Sequence, residues 1–312
     1  MSACVGLMEE ALASLARGEV VMPLRPTLRV TGTKNVFSPM AVYSQAHKAI
    51  GTKLISVFPD NHGTEYDSHQ GVVVLCDGEH GNPTAVLDAA SITAIRTAAV
   101  SGVATKLLAR KDSKTVAILG SGVQGRTHID AMLAVHPFEQ VVVWSRTTKH
   151  AQALAEEMMP KSKAKFSVAK DAESAVRAAD VVCTVTAASQ PVMNGEWLRP
   201  GTHLNVVGSS SPAQREVDTE TIKRSRVYTD RVESAVNEAG DLIIPMKEGA
   251  ITDKHVVGEL GQILIKAIPG RRSADEITLF KSLGLAIEDL ASAQYLFERA
   301  KRDSRGSWVE LG

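Results

Sequence analysis

The segment Gly120-Ser121-Gly122-Val123-Gln124-Gly125 constrains this chain more than any other. It follows the apolar, β-branched run Val116-Ala117-Ile118-Leu119 and precedes a stretch of helical spacing over 123–135. The three glycines therefore fall where a parallel strand turns into a helix. Gly120 allows the tight turn, Gly122 lets the backbone approach a pyrophosphate, and Gly125 permits close packing of helix on strand. The helix N-terminus then meets the phosphates. A bare glycine pattern of this kind is common, and the strand-turn-helix context is what turns it into a dinucleotide-binding loop.

The end of the next strand lies about 20 residues past such a loop, where a carboxylate would accept the ribose hydroxyls of NAD. The chain reads Trp144-Ser145-Arg146-Thr147-Thr148-Lys149 there, without a carboxylate. Ser145 and Thr147 can donate hydrogen bonds, and Arg146 can pair with a 2′-phosphate in a charge-assisted contact that NAD cannot make. These residues point to NADPH (NADP+), with NADH the weaker alternative. The bland reading of Arg146 and Lys149 is a solvated helix start.

At 312 residues the chain exceeds the ~100 to 200 of one domain, so two domains are expected. Short β-branched runs at 28–31, 53–58, 71–76 and 84–88 alternate with turn-forming separators such as Pro59-Asp60-Asn61-His62-Gly63, which reads as a small antiparallel or mixed sheet. From Ser91 the period changes to that of a long helix ending near Arg110-Lys111-Asp112. Strands then alternate with helices: strands are expected at 115–119, 140–145, 165–168, 181–185, 203–207 and 227–230, and helices at 123–135, 149–158, 172–178, 218–225 and 234–239. Six strands with crossovers match a doubly wound fold. A last apolar stripe over 278–300, through Leu279, Leu283, Ile287, Leu290 and Leu296, is expected to close back on the first domain.

Composition excludes several classes of function. Lys plus Arg and Asp plus Glu are equal at 35 each, so the whole-chain field attracts neither nucleic acid nor anionic membranes. Six Phe, three Trp and four Tyr offer few platforms for stacked bases. No apolar run reaches the ~18 to 20 residues of a membrane span, and the segment Met1 to Glu10 lacks a signal pattern, so a cytoplasmic protein is expected. Cys4, Cys76 and Cys183 form neither a metal-ligand pair nor an even disulfide set and read as reduced and buried. The histidines show no metal-ligand spacing, so no metal is expected.

Four cations stand on strands or at a helix start: Arg25, Arg29, Lys53 and Arg96. Arg96 lies in Ser91-Ile92-Thr93-Ala94-Ile95-Arg96-Thr97-Ala98-Ala99, an otherwise uncharged helix of small residues, and Lys53 lies on the apolar strand Thr52-Lys53-Leu54-Ile55. A buried cation needs an anionic partner, and converging cations would hold a substrate carboxylate; the bland alternative for any single one is a structural salt bridge or a snorkelling surface side chain. A desolvated Lys could also deliver a proton near neutral pH. Arg29 reads as a structural or surface side chain. His69, before an apolar strand, reads by itself as structural.

These segments together resemble the ornithine cyclodeaminase/mu-crystallin family. The resemblance rests on 53–59 (Lys-Leu-Ile-Ser-Val-Phe-Pro), Ser68-His69-Gln70, 92–99 and Gly120-Ser121-Gly122-Val123-Gln124. It continues in 200–208 (Pro-Gly-Thr-His-Leu-Asn-Val-Val-Gly) and 280–289 (Phe-Lys-Ser-Leu-Gly-Leu-Ala-Ile-Glu-Asp), so it covers essentially the whole chain. It implies an α/β fold in which a doubly wound parallel Rossmann sheet, residues 111–272, is inserted into a smaller α+β substrate-binding and dimerisation domain, residues 1–110 with 273–312. It further implies a homodimer in which Arg25, Lys53 and Arg96 hold the substrate carboxylate. Lys53 is then the candidate proton donor, and Ser68, His69 and Thr97 stand near the nicotinamide.

One departure is informative. Cyclodeaminases of the family carry an Asp shortly after the Val-Gly that ends the fifth Rossmann strand, whereas this chain reads Val207-Gly208-Ser209-Ser210-Ser211 with Ser210 at that place. A hydroxyl cannot replace a carboxylate base, but it can hydrogen-bond an imine substrate or a ring water. The expectation is therefore NADPH-dependent reduction of a small, cyclic imino acid, with ornithine cyclodeaminase activity disfavoured. The alternatives are an amino-acid dehydrogenase, a reductive aminase acting on a 2-oxo acid, and a non-catalytic cofactor- or ligand-binding protein.

Overall fold

The computed structural model describes residues 1–61 and 63–310; His62, part of the turn-rich separator at 59–63, and Leu311 and Gly312 lie outside the described residues. The chain forms two compact units, one of Met1–Glu9 and Thr97–Gly284, the other of Glu10–Arg96 and Leu285–Gly312. Helix α1 (Ser2–Ala16) opens the chain.

The second unit is built on an antiparallel sheet, so the antiparallel form of the sheet expected from sequence is the one adopted. Its strands are β1 (Val20–Val21), β2 (Leu28–Arg29), β3 (Val36–Ser44), β4 (Ala49–Val57), β5 (His69–Asp77) and β6 (Pro83–Asp88), in the order β1-β3-β4-β5-β6 with β2 also on β3. Sequence reasoning missed β3 because Pro39 sits inside it, and proline cannot donate to a ladder. The strand tolerates it because β2 pairs only with Val36 and Phe37, and β1 only with Tyr43 and Ser44, so position 39 has β4 on one side and no ladder on the other. The Asp88 carboxylate accepts from Ala90 N and Ser91 N and opens α2 (Ala89–Leu108).

The first unit carries eight parallel strands among its described residues: β7 (Thr115–Leu119), β8 (Gln140–Trp144), β9 (Lys165–Val168), β10 (Val181–Thr184), β11 (His203–Val206), β12 (Arg226–Thr229), β13 (Val256–Glu259) and β14 (Thr278–Lys281). Their order is β13-β12-β14-β11-β10-β7-β8-β9. The intervening helices are α3 (Val123–Val135), α4 (Thr148–Met158), α5 (Ala172–Ala178), α6 (Thr219–Arg224), α7 (Val232–Glu238), α8 (Gly240–Lys247) and α9 (Leu260–Leu264). Strand β7 is buried on both faces, with Ala117 and Leu119 in one apolar cluster and Val116 and Ile118 in the other. Such strands read as unbroken apolar runs.

Two strands exceed the six expected. Residues 278–281, read from sequence as the start of a helical stripe, form β14 between β11 and β12. A short, wholly buried strand has no period that separates it from a buried helix. The chain then turns at Gly284 (φ +77) into α10 (Ala286–Arg302), which packs on β3, β4 and β5. Among the cysteines, all free, only Cys183 is buried; Cys4 and Cys76 are half-buried, contrary to the expectation of three buried thiols.

Candidate active site

Strand β7 delivers the chain to Gly120, whose φ of +127 no L side chain adopts easily and where a Cβ would lie 2.6 Å from the Val185 carbonyl oxygen. Gly125, one turn into α3, faces back on the loop, and a Cβ there would run into the carbonyl of Gly120. Gly122 is different. It is the N-cap of α3, makes no side-chain cap bond, and has nothing within 4 Å of where its Cβ would stand. That open space, together with uncapped N–H groups at the start of α3, supplies room and donors for a pyrophosphate.

Exposed Val123 and half-buried Gln124 complete the loop. Ser121 Oγ donates to Ser145 Oγ at 2.9 Å, tying the loop to the end of β8. Arg146 and Thr147 follow there, both exposed, and the Thr147 hydroxyl does not cap α4. The chemistry of this donor set fits a dinucleotide at the carboxyl ends of the parallel strands.

The second unit gathers the basic residues. Lys53 stands opposite Met40 and Val73, on the face of the antiparallel sheet that α10 covers. Gly51, two residues earlier on the same face, lets α10 close in, since a Cβ there would lie 2.9 Å from Leu290 Cδ1. The first turn of α10 then reaches both cations. Lys53 Nζ is 2.7 Å from Asp289 Oδ2 and donates to Thr93 Oγ1 at 3.4 Å. Arg96 Nε donates to Asp289 Oδ1 at 2.9 Å, and its Nη1 to Glu288 Oε2 at 2.7 Å. All four charged side chains are at most 5% exposed.

Both cations therefore have protein partners already in place, the structural salt bridge that is the bland alternative for each. Glu288 and Asp289, quoted above merely as part of a matching segment, are protein partners. The signal that could have found them is a pair of adjacent acids in the first turn of an apolar helix, where the helix dipole favours carboxylates. Burial raises the Asp289 pKa, but the Arg96 and Lys53 charges outweigh it and hold the group below its ordinary value. Desolvation lowers Lys53 to about 8, against the pull of Asp289 and with help from the Arg96 and Arg25 charges. Arg25 itself is half-buried. His69 shares a hydrogen bond with Ser68 Oγ at 3.0 Å, and desolvation and then the Lys53 charge lower its pKa.

In the first unit, Thr97 is buried on α2 and Ser210 is exposed in the loop after β11. Beneath that loop lies a buried charged network that sequence reading missed. Lys281 Nζ donates to Ser209 O at 2.6 Å and pairs with Asp241 Oδ2 at 2.9 Å. Asp241 Oδ1 accepts from Glu216 N and Val217 N. The Glu216 carboxylate in turn accepts from Thr184 Oγ1, Thr186 N, Thr186 Oγ1 and Gly208 N, binding together the ends of β10 and β11. The available clue was a lysine, Lys281, inside the apolar stripe at 278–300.

Other titratable groups are set aside by burial. His128 is lowered to about 4, His203 to about 3, and the Cys183 thiol is raised to about 12, so none exchanges a proton near neutral pH. Among the described residues, no His/Cys/Asp/Glu group could hold a metal, and no helix is long and apolar enough to cross a membrane.

A dinucleotide loop on a Rossmann-like sheet, accompanied by a unit with buried, carboxylate-held cations, defines a nicotinamide-dependent oxidoreductase class. The model of the Ornithine cyclodeaminase/mu-crystallin family matches residues 1–304, and the chain belongs to that family. It is 38% identical over 302 residues to a Delta(1)-pyrroline-2-carboxylate reductase of Bacillus cereus, covering 96% of this chain and 93% of the relative. It is 37% identical over 294 residues to the ketimine reductase mu-crystallin of Mus musculus, covering 93% and 90%. The solved Delta(1)-pyrroline-2-carboxylate reductase of Thermococcus litoralis, in complex with NADH and L-proline, superposes with a TM-score of 0.96 at 38% identity, covering 98% of this chain and 95% of that one.

Proposed function

We propose that the chain catalyses the NADPH-dependent reduction of a small cyclic imino acid, such as 1-pyrroline-2-carboxylate or 1-piperideine-2-carboxylate, to the amino acid. The class, an NAD(P)H-dependent imine reductase, is supported by curated relatives of that activity matching nearly end to end. The observation that carries the residue assignment is the buried Lys53 and Arg96 pair joined by one carboxylate.

In this reading the loop 120–125 cradles the pyrophosphate, Ser145, Arg146 and Thr147 hold the 2′-phosphate, and Ser68, His69 and Thr97 lie near the nicotinamide. When bound, the cofactor supplies a hydride to the imine carbon. Arg96 and Arg25, with Lys53, fix the substrate carboxylate; a guanidinium can do so in bidentate fashion. A Lys53 Nζ proton passes to the imine nitrogen and is replaced from water, so the C=N bond becomes CH–NH. With a pKa of about 8, Lys53 is charged at neutral pH and a far better donor than an ordinary lysine. Ser210 hydrogen-bonds the imine or a ring water.

The second unit is also proposed as the homodimer surface. The sheet face away from α10 presents Phe37, Tyr43, Ile50 and Val86, each more than a third exposed, a patch of the kind that marks an interface.

The test is to follow NADPH and NADH absorbance with cyclic imino acids, with pyruvate plus amines, and in reverse with proline, pipecolate and alanine. Turnover of the cyclic imino acids is expected, with Arg146→Ala raising KM for NADPH far more than for NADH. Ammonia release from ornithine without net reduction of a cyclic imine would overturn the reading, and equal effects of Arg146→Ala on both cofactors would remove the 2′-phosphate assignment.

A further inference from the structure

We propose that Asp289 is the positioning residue of this site: its two carboxylate oxygens hold Lys53 and Arg96 at one separation and keep the Lys53 ammonium charged for the imine nitrogen. This rests on the reading of Lys53 and Arg96 given above.

The geometry carries the assignment. Oδ2 lies 2.7 Å from Lys53 Nζ and Oδ1 accepts from Arg96 Nε at 2.9 Å, so one rigid group spans two cations that come from different elements, β4 and α2. Two like charges brought together in a buried site repel strongly, and a shared carboxylate is what lets them stay close. Asp289 is 1% exposed and sits in the first turn of α10, whose dipole favours its charge. The arrangement also leaves Lys53 with work to do. An ammonium has three N–H bonds, and its partners among the described residues are Asp289 and, at 3.4 Å, Thr93, which leaves one donor direction for a substrate atom.

The groups acting on Lys53 can be named by element. Asp289 comes from α10, Arg96 and Thr93 from α2, Arg25 from the segment before β2, and His69 from the start of β5. Of these only Asp289 favours the charged ammonium, while desolvation and the Arg96 and Arg25 charges oppose it. A buried cation left without that carboxylate would release its proton well below its present value of about 8.

The experiment is the pH dependence of kcat/KM for imine reduction in wild type, Asp289→Asn and Asp289→Glu. The wild-type alkaline limb is expected near pH 8. Asp289→Asn should move it down by at least one pH unit and raise KM for the imino acid at least tenfold, with the dinucleotide affinity unchanged. Asp289→Glu keeps the charge on a longer arm, so its limb should stay near that of wild type while KM rises. An Asp289→Asn limb at the wild-type position, or an Asp289→Glu limb shifted to lower pH, would overturn the proposal; if the Asn variant does not fold, the Glu variant alone decides. Lys53→Met separates the two readings. If it retains turnover, the function assigned to Lys53 fails; if it is inactive while Asp289→Asn keeps the wild-type limb, only the role of Asp289 fails.

Discussion

Replacing Lys281 by Met tests the buried network beneath the Ser210 loop. Lys281 and Asp241 are both fully buried and 2.9 Å apart, and methionine preserves most of the lysine volume, so the change removes a charge and leaves little cavity. Asp241 Oδ1 keeps its bonds from Glu216 N and Val217 N, but Oδ2 loses its cation. Removing one partner of a buried pair leaves the other charge uncompensated and costs ~3 to 5 kcal/mol. Glu216 adds to it, because the Lys281 charge is the largest of the influences that oppose the upward push of burial on that carboxyl.

The double variant Lys281→Met/Asp241→Asn retains an acceptor for the two backbone N–H groups and removes the stranded charge. It should recover most of the loss. Urea unfolding followed by circular dichroism at pH 7 measures this, and a thermal scan should show the single variant ~6 to 20 °C below wild type, at ~2 to 4 °C per kcal/mol for a unit of this size. A single variant within about 1 kcal/mol of wild type at pH 7, or a double variant no better than the single, would refute the claim that the pair is charged and mutually dependent.

Gly122→Ala meets no atom of the protein, so it should fold with an unchanged Tm yet bind the dinucleotide at least tenfold more weakly by calorimetry; unchanged affinity would move the phosphates elsewhere. Imine reduction should lose about tenfold in kcat/KM for each pH unit above pH 8 as Lys53 deprotonates, and a profile flat to pH 9.5 would remove it as proton donor. Stability responds to Lys53 with the opposite sign. Its folded pKa of about 8 lies below the ordinary 10.5, so the unfolded chain binds more protons in that window and this contribution rises with pH, measurable as a Tm difference between wild type and Lys53→Met. Ile50→Arg places a charge on the open sheet face and should shift the protein to a monomer by light scattering, whereas an unchanged mass would place the dimer contact elsewhere.

Much of the parallel sheet was legible because each strand-to-helix junction changes period sharply: β7, α3, β9 and α5 have the bounds that their residue patterns suggest. Of the strands that escaped, β3 did so because of Pro39 and β14 because four buried residues have no period; β1 and β13, two and four residues long, escaped as well. In the site, the basic residues stood out as charges on apolar elements. Their carboxylate partners did not: Glu288 and Asp289 lie 192 and 193 residues from Arg96, and two adjacent acids at a helix start do not say which distant cation they meet. Separation in sequence also hid the pairing of Lys281, whose partner Asp241 and acceptor Ser209 are 40 and 72 positions earlier.

The position of β14 has a consequence for biosynthesis. On the ribosome, β11 and β12 emerge long before the strand that belongs between them, so until residue 281 is made both must wait with an unpaired edge, a template for intermolecular pairing. Only the few residues after β14 then bring Glu288 and Asp289 to Arg96 and Lys53. A nascent chain that stops before them can have its glycine loop complete and still lack the carboxylates that let its two buried cations coexist. Translation thus withholds the finished charge arrangement until the sheet is closed, and a premature stop within that stretch should send the product to chaperones and proteases instead of leaving a half-active enzyme.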